Sequence, residues 1–235
     1  MDMLKRFRKR LIIIVAICLV AGFGYVRKAV SPVSAPIVPE KTIIIDAGHG
    51  GFDGGAGADD GTLEKDINLE IAKKAKDYLA FYGYDVIMTR EDDTGTEDNP
   101  DLSISARKKS DLRNRLEMMQ TDSATIYVSI HLNKFTTSAA SGTQVFYTPN
   151  FDEARVLGEC IQSTVISLLQ PENHRVIKKG TDSTFLLKNA KIPAVIVECG
   201  FLSNAGDLKN LKEETYQRKL AFCICYGIMK YYKEI

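Results

Sequence analysis

The chain has 235 residues, enough for one domain with a substantial core plus an appendage. Its 31 Lys and Arg against 30 Asp and Glu leave a net charge of +1, which removes the electrostatic case for nucleic acid as the main partner. Aromatic content is ordinary and Trp is absent, which argues against an exposed aromatic platform for sugars.

The chain opens with a basic cluster, Lys5, Arg6, Arg8, Lys9 and Arg10, followed by an apolar run from Leu11 to about Val26 and then by Arg27 and Lys28. This is the layout of an export signal. Val33-Ser34-Ala35 resembles a cleavage site, but Pro36 follows it directly, so an uncleaved signal-anchor over residues 1–29 is expected. The run is slightly shorter than the roughly 20 residues that span a bilayer, and flanking Arg and Lys can snorkel to cover the difference. The charge excess before the run directs residue 1 to the cytoplasm and the remainder outside. Pro32, Pro36 and Pro39 mark residues 30–40 as a linker, and a globular domain is expected over residues 41–235.

Thr42-Ile43-Ile44-Ile45 is a continuous β-branched run, the pattern of a strand buried on both faces. A Gly-rich loop from His49 to Gly61 comes next. The stripe of Ile67, Ile71, Ala75, Tyr78 and Leu79 predicts an amphipathic helix from Leu63 to Tyr82, ended by Gly83. Strands are then expected at 84–88, 126–130, 142–147 and 194–197. Helices are expected at 105–120, 153–169 and 215–232, and an acidic loop at 91–103. Strands alternating with helices indicate an α/β fold: a single three-layer domain, with a mostly parallel mixed sheet of about six strands flanked by helices. Cys18, Cys160, Cys199, Cys223 and Cys225 show no CxxC and no framework spacing, so they read as small buried apolar side chains rather than as disulfides or metal ligands.

Three side chains stand at strand ends. His49 follows the first strand in Asp46-Ala47-Gly48-His49-Gly50-Gly51, His131 follows another in Ser129-Ile130-His131-Leu132-Asn133, and Glu198 ends a third in Val195-Ile196-Val197-Glu198. In α/β sheets ligands gather at the carboxyl edge of the strands, so two imidazoles and a carboxylate are aimed at one place. Two imidazoles are half of a zinc site, and catalytic zinc ordinarily takes three protein ligands. Glu64, at the start of the helix after the glycines, is the best third ligand, because Gly54, Gly55, Gly57 and Gly61 let the loop fold back. Glu198 is then left as general base and later general acid. A lone His beside a strand is ordinarily a satisfied core residue, but an ionised Glu in an apolar run is costly unless paired or ligated. The glycines do not make a nucleotide loop, since neither GxGxxG nor a Lys-Ser/Thr ending is present. His174 lies in a polar loop and reads as a surface residue.

At these residues the chain resembles the zinc-dependent N-acetylmuramoyl-L-alanine amidases of the Amidase_3 type. The resemblance runs from Lys41 to the C-terminus. It rests on Ile45-Asp46-Ala47-Gly48-His49-Gly50-Gly51-Phe52-Asp53-Gly54-Gly55-Ala56, Leu63-Glu64-Lys65-Asp66, Ser129-Ile130-His131-Leu132-Asn133 and Glu198-Cys199-Gly200-Phe201-Leu202-Ser203-Asn204, in that order. It implies hydrolysis of the amide between N-acetylmuramic acid and L-alanine in peptidoglycan. It also implies zinc (Zn2+) as cofactor, His49, Glu64 and His131 as its ligands, and Glu198 as the catalytic carboxylate. Asp46-Ala47-Gly48 stands where many members have Asp-Pro-Gly, and Leu132-Asn133-Lys134 where many have Ala-Asn-Ala; neither touches a ligand. Asp46 either orients a ligand imidazole or serves the turn, and Asn133 and Arg115 are candidate contacts to glycan or peptide.

The run from Arg107 to Arg115 and the anchor on a bare catalytic domain are similar to the germination-specific, CwlD-type amidases of spore formers. That likeness implies spore cortex peptidoglycan as substrate, coupling to a deacetylase that closes the muramic-δ-lactam, and a lipoprotein partner. The catalytic domain would lie outside the cytoplasm, in the cell wall or the forespore intermembrane space. The rival readings are a general cell-wall amidase or another zinc peptidase of the vegetative wall, and a non-catalytic wall-binding scaffold.

Overall fold

The computed structural model describes residues 41–120, 124–181 and 184–234, together with Met3. The expected anchor and linker, residues 1–29 and 30–40, lie outside the described residues, as does Cys18. Among the described residues no helix is long and apolar enough to cross a membrane.

Six strands make one mixed sheet: β1 (Thr42–Ala47), β2 (Asp85–Met88), β3 (Ala124–Asn133), β4 (Gln144–Tyr147), β5 (Lys178–Lys179) and β6 (Ala194–Phe201). They lie in the order β2-β1-β3-β6-β4-β5. The pairs β1–β2, β1–β3, β3–β6 and β4–β5 are parallel, and β4 runs antiparallel to β6. The helices are α1 (Glu64–Phe81), α2 (Ile104–Met118), α3 (Asp152–Leu168), α4 (Phe185–Asn189), α5 (Ala205–Lys212) and α6 (Glu214–Glu234).

The β-branched run of β1 is buried on both sides, as its unbroken apolar pattern requires. Because side chains alternate along a strand, Ile43 and Ile45 join the core under α1, α3 and α6, while Ile44 joins a smaller core with Met119, Leu186 and Leu187 beside α2 and α4. Burying each such isoleucine contributes about 1.5–3 kcal/mol relative to leaving it in water. The α1 stripe packs as predicted, with Ile67, Ile71, Ala75 and Leu79 buried. Gly83 follows the helix at a φ of 88°. Cys160, Cys199, Cys223 and Cys225 are buried.

Two strands run further than expected. β3 continues to Asn133 and β6 to Phe201, so His131 and Glu198 stand inside paired strand rather than beyond it. Main-chain pairing is indifferent to side-chain polarity: His131 is opposite Glu198 in the register, and Asn133 is opposite Phe201. β4 in turn starts later than expected, because Gly142 has a φ of 84° and the Thr143 amide donates to Gln170 Oε1 (2.9 Å) instead of entering the ladder. The short elements β5, α4 and α5 were not anticipated.

Candidate metal centre

At the end of β1 the chain turns sharply. The Gly48 amide donates to the Ile130 carbonyl (3.1 Å), and His49 follows with a φ of 63°, a left-handed conformation rare outside glycine. Gly48 has to be glycine, since a Cβ there would stand 2.3 Å from the His131 ring. The glycine-rich loop then folds back as its composition predicted. Ala56 and Glu64 are joined by two bonds, Glu64 N to Ala56 O (2.9 Å) and Ala56 N to Glu64 Oε2 (2.8 Å). Gly55 permits this approach: at a φ of 66°, a Cβ would meet Glu64 Oε2 at 2.6 Å and His49 Cδ2 at 2.7 Å.

These contacts deliver Glu64, the first residue of α1, between the two imidazoles. Its Oε1 lies 3.0 Å from His131 Nδ1 and 3.2 Å from His49 Nε2, and it accepts from the Leu132 amide (3.0 Å) and Asn68 Nδ2 (3.3 Å). The two rings meet edge to face with centroids 4.9 Å apart. One ligand atom from each of His49, Glu64 and His131 falls within 4.8 Å of the others. Glu198 stands across the register from His131, and its Oε2 is buried without a hydrogen-bond partner. All four side chains singled out from the sequence are thus at the carboxyl edge of the sheet.

Burial would raise the Glu64 pKa, but the hydrogen bonds and charges of His131 and His49 outweigh it and hold the carboxyl well below its ordinary range. Burial likewise opposes the charged form of His49, yet Asp53 and Glu64 raise its pKa to about 9 in the metal-free site. For Glu198 burial is the main cause and Glu64 adds to it; the imidazoles oppose, and the pKa rises to about 6. Two imidazole nitrogens, a buried carboxylate oxygen between them and an unpartnered oxygen alongside form a donor set that fits a zinc-like divalent cation.

The surrounding residues differ in part from the expectation. Asp46 neither orients an imidazole nor serves the turn. It is fully buried and accepts from Arg115, from Ser129 and from Thr89 Oγ1 (2.6 Å). Burial would raise its pKa; the Arg115 charge beside it holds it well below the usual carboxylate range. Arg115 lines the small cavity beside the site but is only 2% exposed, and its donors are taken up within the protein. Its guanidinium instead grips Asp46, Asp111 (2.8 Å) and the carbonyls of Ala47 (3.1 Å) and His49 (2.6 Å).

The orienting carboxylate is Asp53, whose Oδ2 is 3.0 Å from His49 Nδ1 and whose Oδ1 is 3.0 Å from Lys108 Nζ. Its signal in the sequence was position alone, four residues after a candidate ligand in the same loop. Asn133 is half-buried at the end of β3, and His174 is exposed. A cavity of about 250 Å³ opens beside His49 and His131, lined also by Asp53, Lys108 and Leu186. A larger one of about 570 Å³ is lined by none of the four central residues, so the donor geometry, not cavity size, locates the chemistry.

The model of the N-acetylmuramoyl-L-alanine amidase family of the Amidase_3 type matches residues 43–230. The germination-specific N-acetylmuramoyl-L-alanine amidase of Bacillus subtilis (strain 168) is 38% identical over 194 residues, covering 83% of this chain and 81% of that protein. Among solved structures, the CwlD amidase from Clostridioides difficile in complex with the GerS lipoprotein aligns at a TM-score of 0.79 and 42% identity, covering 83% of this chain and all of that one. An N-acetylmuramoyl-L-alanine amidase from Clostridium difficile 630 aligns at a TM-score of 0.71 and 31% identity, covering 82% and 97%.

Proposed function

Because the chain belongs to the N-acetylmuramoyl-L-alanine amidase family, we propose that it performs the family's hydrolysis as a zinc enzyme, with His49, Glu64 and His131 as metal ligands and Glu198 as the acid–base group. The chain is a peptidoglycan amidase, and what it cuts is the amide joining N-acetylmuramic acid to L-alanine. One observation carries the assignment of roles: three donor atoms converge within 4.8 Å, with an unpartnered carboxylate oxygen on the neighbouring strand.

His49, Glu64 and His131 would hold zinc, which would supply Lewis acidity to the lactyl carbonyl and a bound water with its pKa lowered towards about 7. Asp53 holds the proton of His49 on Nδ1, which turns the Nε2 lone pair inward. Glu198 takes the water's proton on Oε2 as the new C–O bond forms. It then passes the proton to the alanine nitrogen as the C–N bond breaks, so one carboxyl serves as base and as acid.

The biological reading is removal of stem peptides from spore cortex, ahead of deacetylation and closure of the muramic-δ-lactam. The similarity to a germination-specific amidase and to CwlD supports it. The complex formed by the latter supports a lipoprotein partner. A basic cluster followed by an apolar run supports a membrane anchor, with the catalytic domain outside the cytoplasm.

Replacing Glu198 by Ala is expected to leave zinc bound, by elemental analysis, while hydrolysis of purified muropeptide falls by about 10²–10⁴. His49→Ala is expected to lose the metal. Turnover retained by the first variant removes Glu198 from catalysis, and zinc retained by the second removes His49 from the ligand set. Digestion of cortex-type against vegetative sacculi, with product masses showing intact peptide that begins at L-Ala, tests the cortex role.

A further inference from the structure

The departing peptide leaves beside Glu198, because that residue protonates its nitrogen. The next strand along the sheet is β4, and its antiparallel course sets Gln144 directly across from Glu198. Cross-strand neighbours have Cβ atoms about 5 Å apart and share a face. Gln144 Oε1 in turn accepts from Arg175 Nη1 (2.9 Å), so this guanidinium stands one side chain away from the proton donor.

Arg175 is held in place. Its Nε donates to the Ser141 carbonyl (2.7 Å), its guanidinium lies 4.5 Å from the centre of the Phe201 ring, and its own amide donates to Asn173 Oδ1 (3.0 Å). Asn173 is anchored in turn on Thr143 O and Gln170 Oε1 (both 2.8 Å). Yet the side-chain partners of Arg175 are all neutral. Three other cations around the site are paired with carboxylates, Lys108 with Asp53, Arg115 with Asp46 and Asp111, and Lys65 with Asp93. Arg90, held by the carbonyls of Ala47, Gly48, Lys65 and Asp92, is buried.

Arg175 also lines the cavity of about 570 Å³, with Gln170, Tyr216 and Asp207. Asp207 directs Oδ2 at the amides of Gly142 and Phe201 (2.9 Å each). A half-buried, pre-positioned guanidinium without an anion, facing a cavity, is the arrangement that receives a carboxylate from a ligand.

We propose that Arg175 is a specificity-determining residue that binds a free carboxylate on the peptide side of the substrate. It thereby selects acidic stem peptides over those in which the residue after the alanine is amidated. This rests on the amidase reading, with Glu198 on the side of the leaving nitrogen.

The test uses the zinc-loaded full chain and two muropeptides that differ in one group, a carboxylate or a carboxamide on the residue after the alanine. The wild-type protein is expected to favour the carboxylate by about ten- to a hundredfold in kcat/KM, the scale of one charge-assisted hydrogen bond. In Arg175→Gln that ratio falls towards one, mainly through a higher KM for the acidic substrate, and Arg175→Lys keeps part of it. Equal cleavage of both substrates by the wild type overturns the proposal. So does an equal loss on both in Arg175→Gln, which would mark Arg175 as structural.

A calorimetric arm measures the free acidic dipeptide and its amide against the Glu198→Ala protein, with and without Arg175→Gln. Discrimination lost with Arg175 supports the proposal, and no discrimination in either protein sinks it. If neither muropeptide is turned over by the zinc-loaded wild type, the amidase reading fails, and the dipeptide measurements still decide Arg175.

Discussion

Where α1, α3 and α6 cover the sheet, the strands meet them with Ile43, Ile45, Val128, Ile130, Val195 and Val197, a continuous apolar layer. Where α2 and α4 cover it, the same strands offer Ile44 and Tyr127 but also Asp46, Ser129, His131 and Glu198. The two sets alternate residue by residue, so each strand serves both at once. The first face supplies burial. The second carries a fully buried ion pair and ends at the site, and it tolerates that load because the first does not share it.

The largest effect expected from a change on the polar face is Arg115→Met. Removing the guanidinium strands the Asp46 charge in the interior, a loss of about 3–5 kcal/mol in urea denaturation. It also frees the His49 carbonyl, so zinc affinity should fall with stability. A loss below about 1 kcal/mol would mean that the pair is not needed and that the two faces are energetically alike. On the apolar face, Ile45→Ala leaves a cavity and is expected to lose about 2–5 kcal/mol, with zinc affinity of the folded protein unchanged. A change in zinc binding there would break the division of labour.

Asp53→Asn separates the two properties in the other direction. It removes the charge that fixes His49, so the zinc dissociation constant should rise about 10–100-fold. The metal-free protein should lose stability only near and below the raised His49 pKa of about 9, where the imidazole is charged. The smallest effect is Thr164→Val in α3. The Thr164 hydroxyl is buried without a hydrogen-bond partner, so replacement by an isosteric apolar group should leave stability within about 1 kcal/mol or raise it. A marked loss would show that the hydroxyl is satisfied in solution.

Much of this division was legible beforehand. The unbroken run of Ile43 to Ile45 announced a strand with two buried faces, and the positions of His49, Glu64, His131 and Glu198 announced a shared edge. The rest was hidden for physical reasons. Strands β3 and β6 outlast their apolar runs because backbone pairing continues through His131 and Glu198. β5, α4 and α5 are too short to show a period. α2 is rich in Arg and Lys, and nothing in its spacing marks Arg115, a candidate substrate contact by sequence, as the one that turns inward to Asp46. The sequence favours Asp46 over Asp53 as the support of an imidazole, because a carboxylate at a strand end is the more familiar arrangement. The left-handed turn at His49 instead brings the loop carboxylate to the ring.

The direction of β1 sets how the protein can be held. Lys41 enters at one end of this six-residue strand, and Gly48 and His49 leave at the other, about 20 Å away at the rise of an extended chain. Lys41 therefore stands on the rim opposite the cleft. A surface or label coupled at Lys41 would grip the protein from behind and leave the cleft open to a polymer mesh.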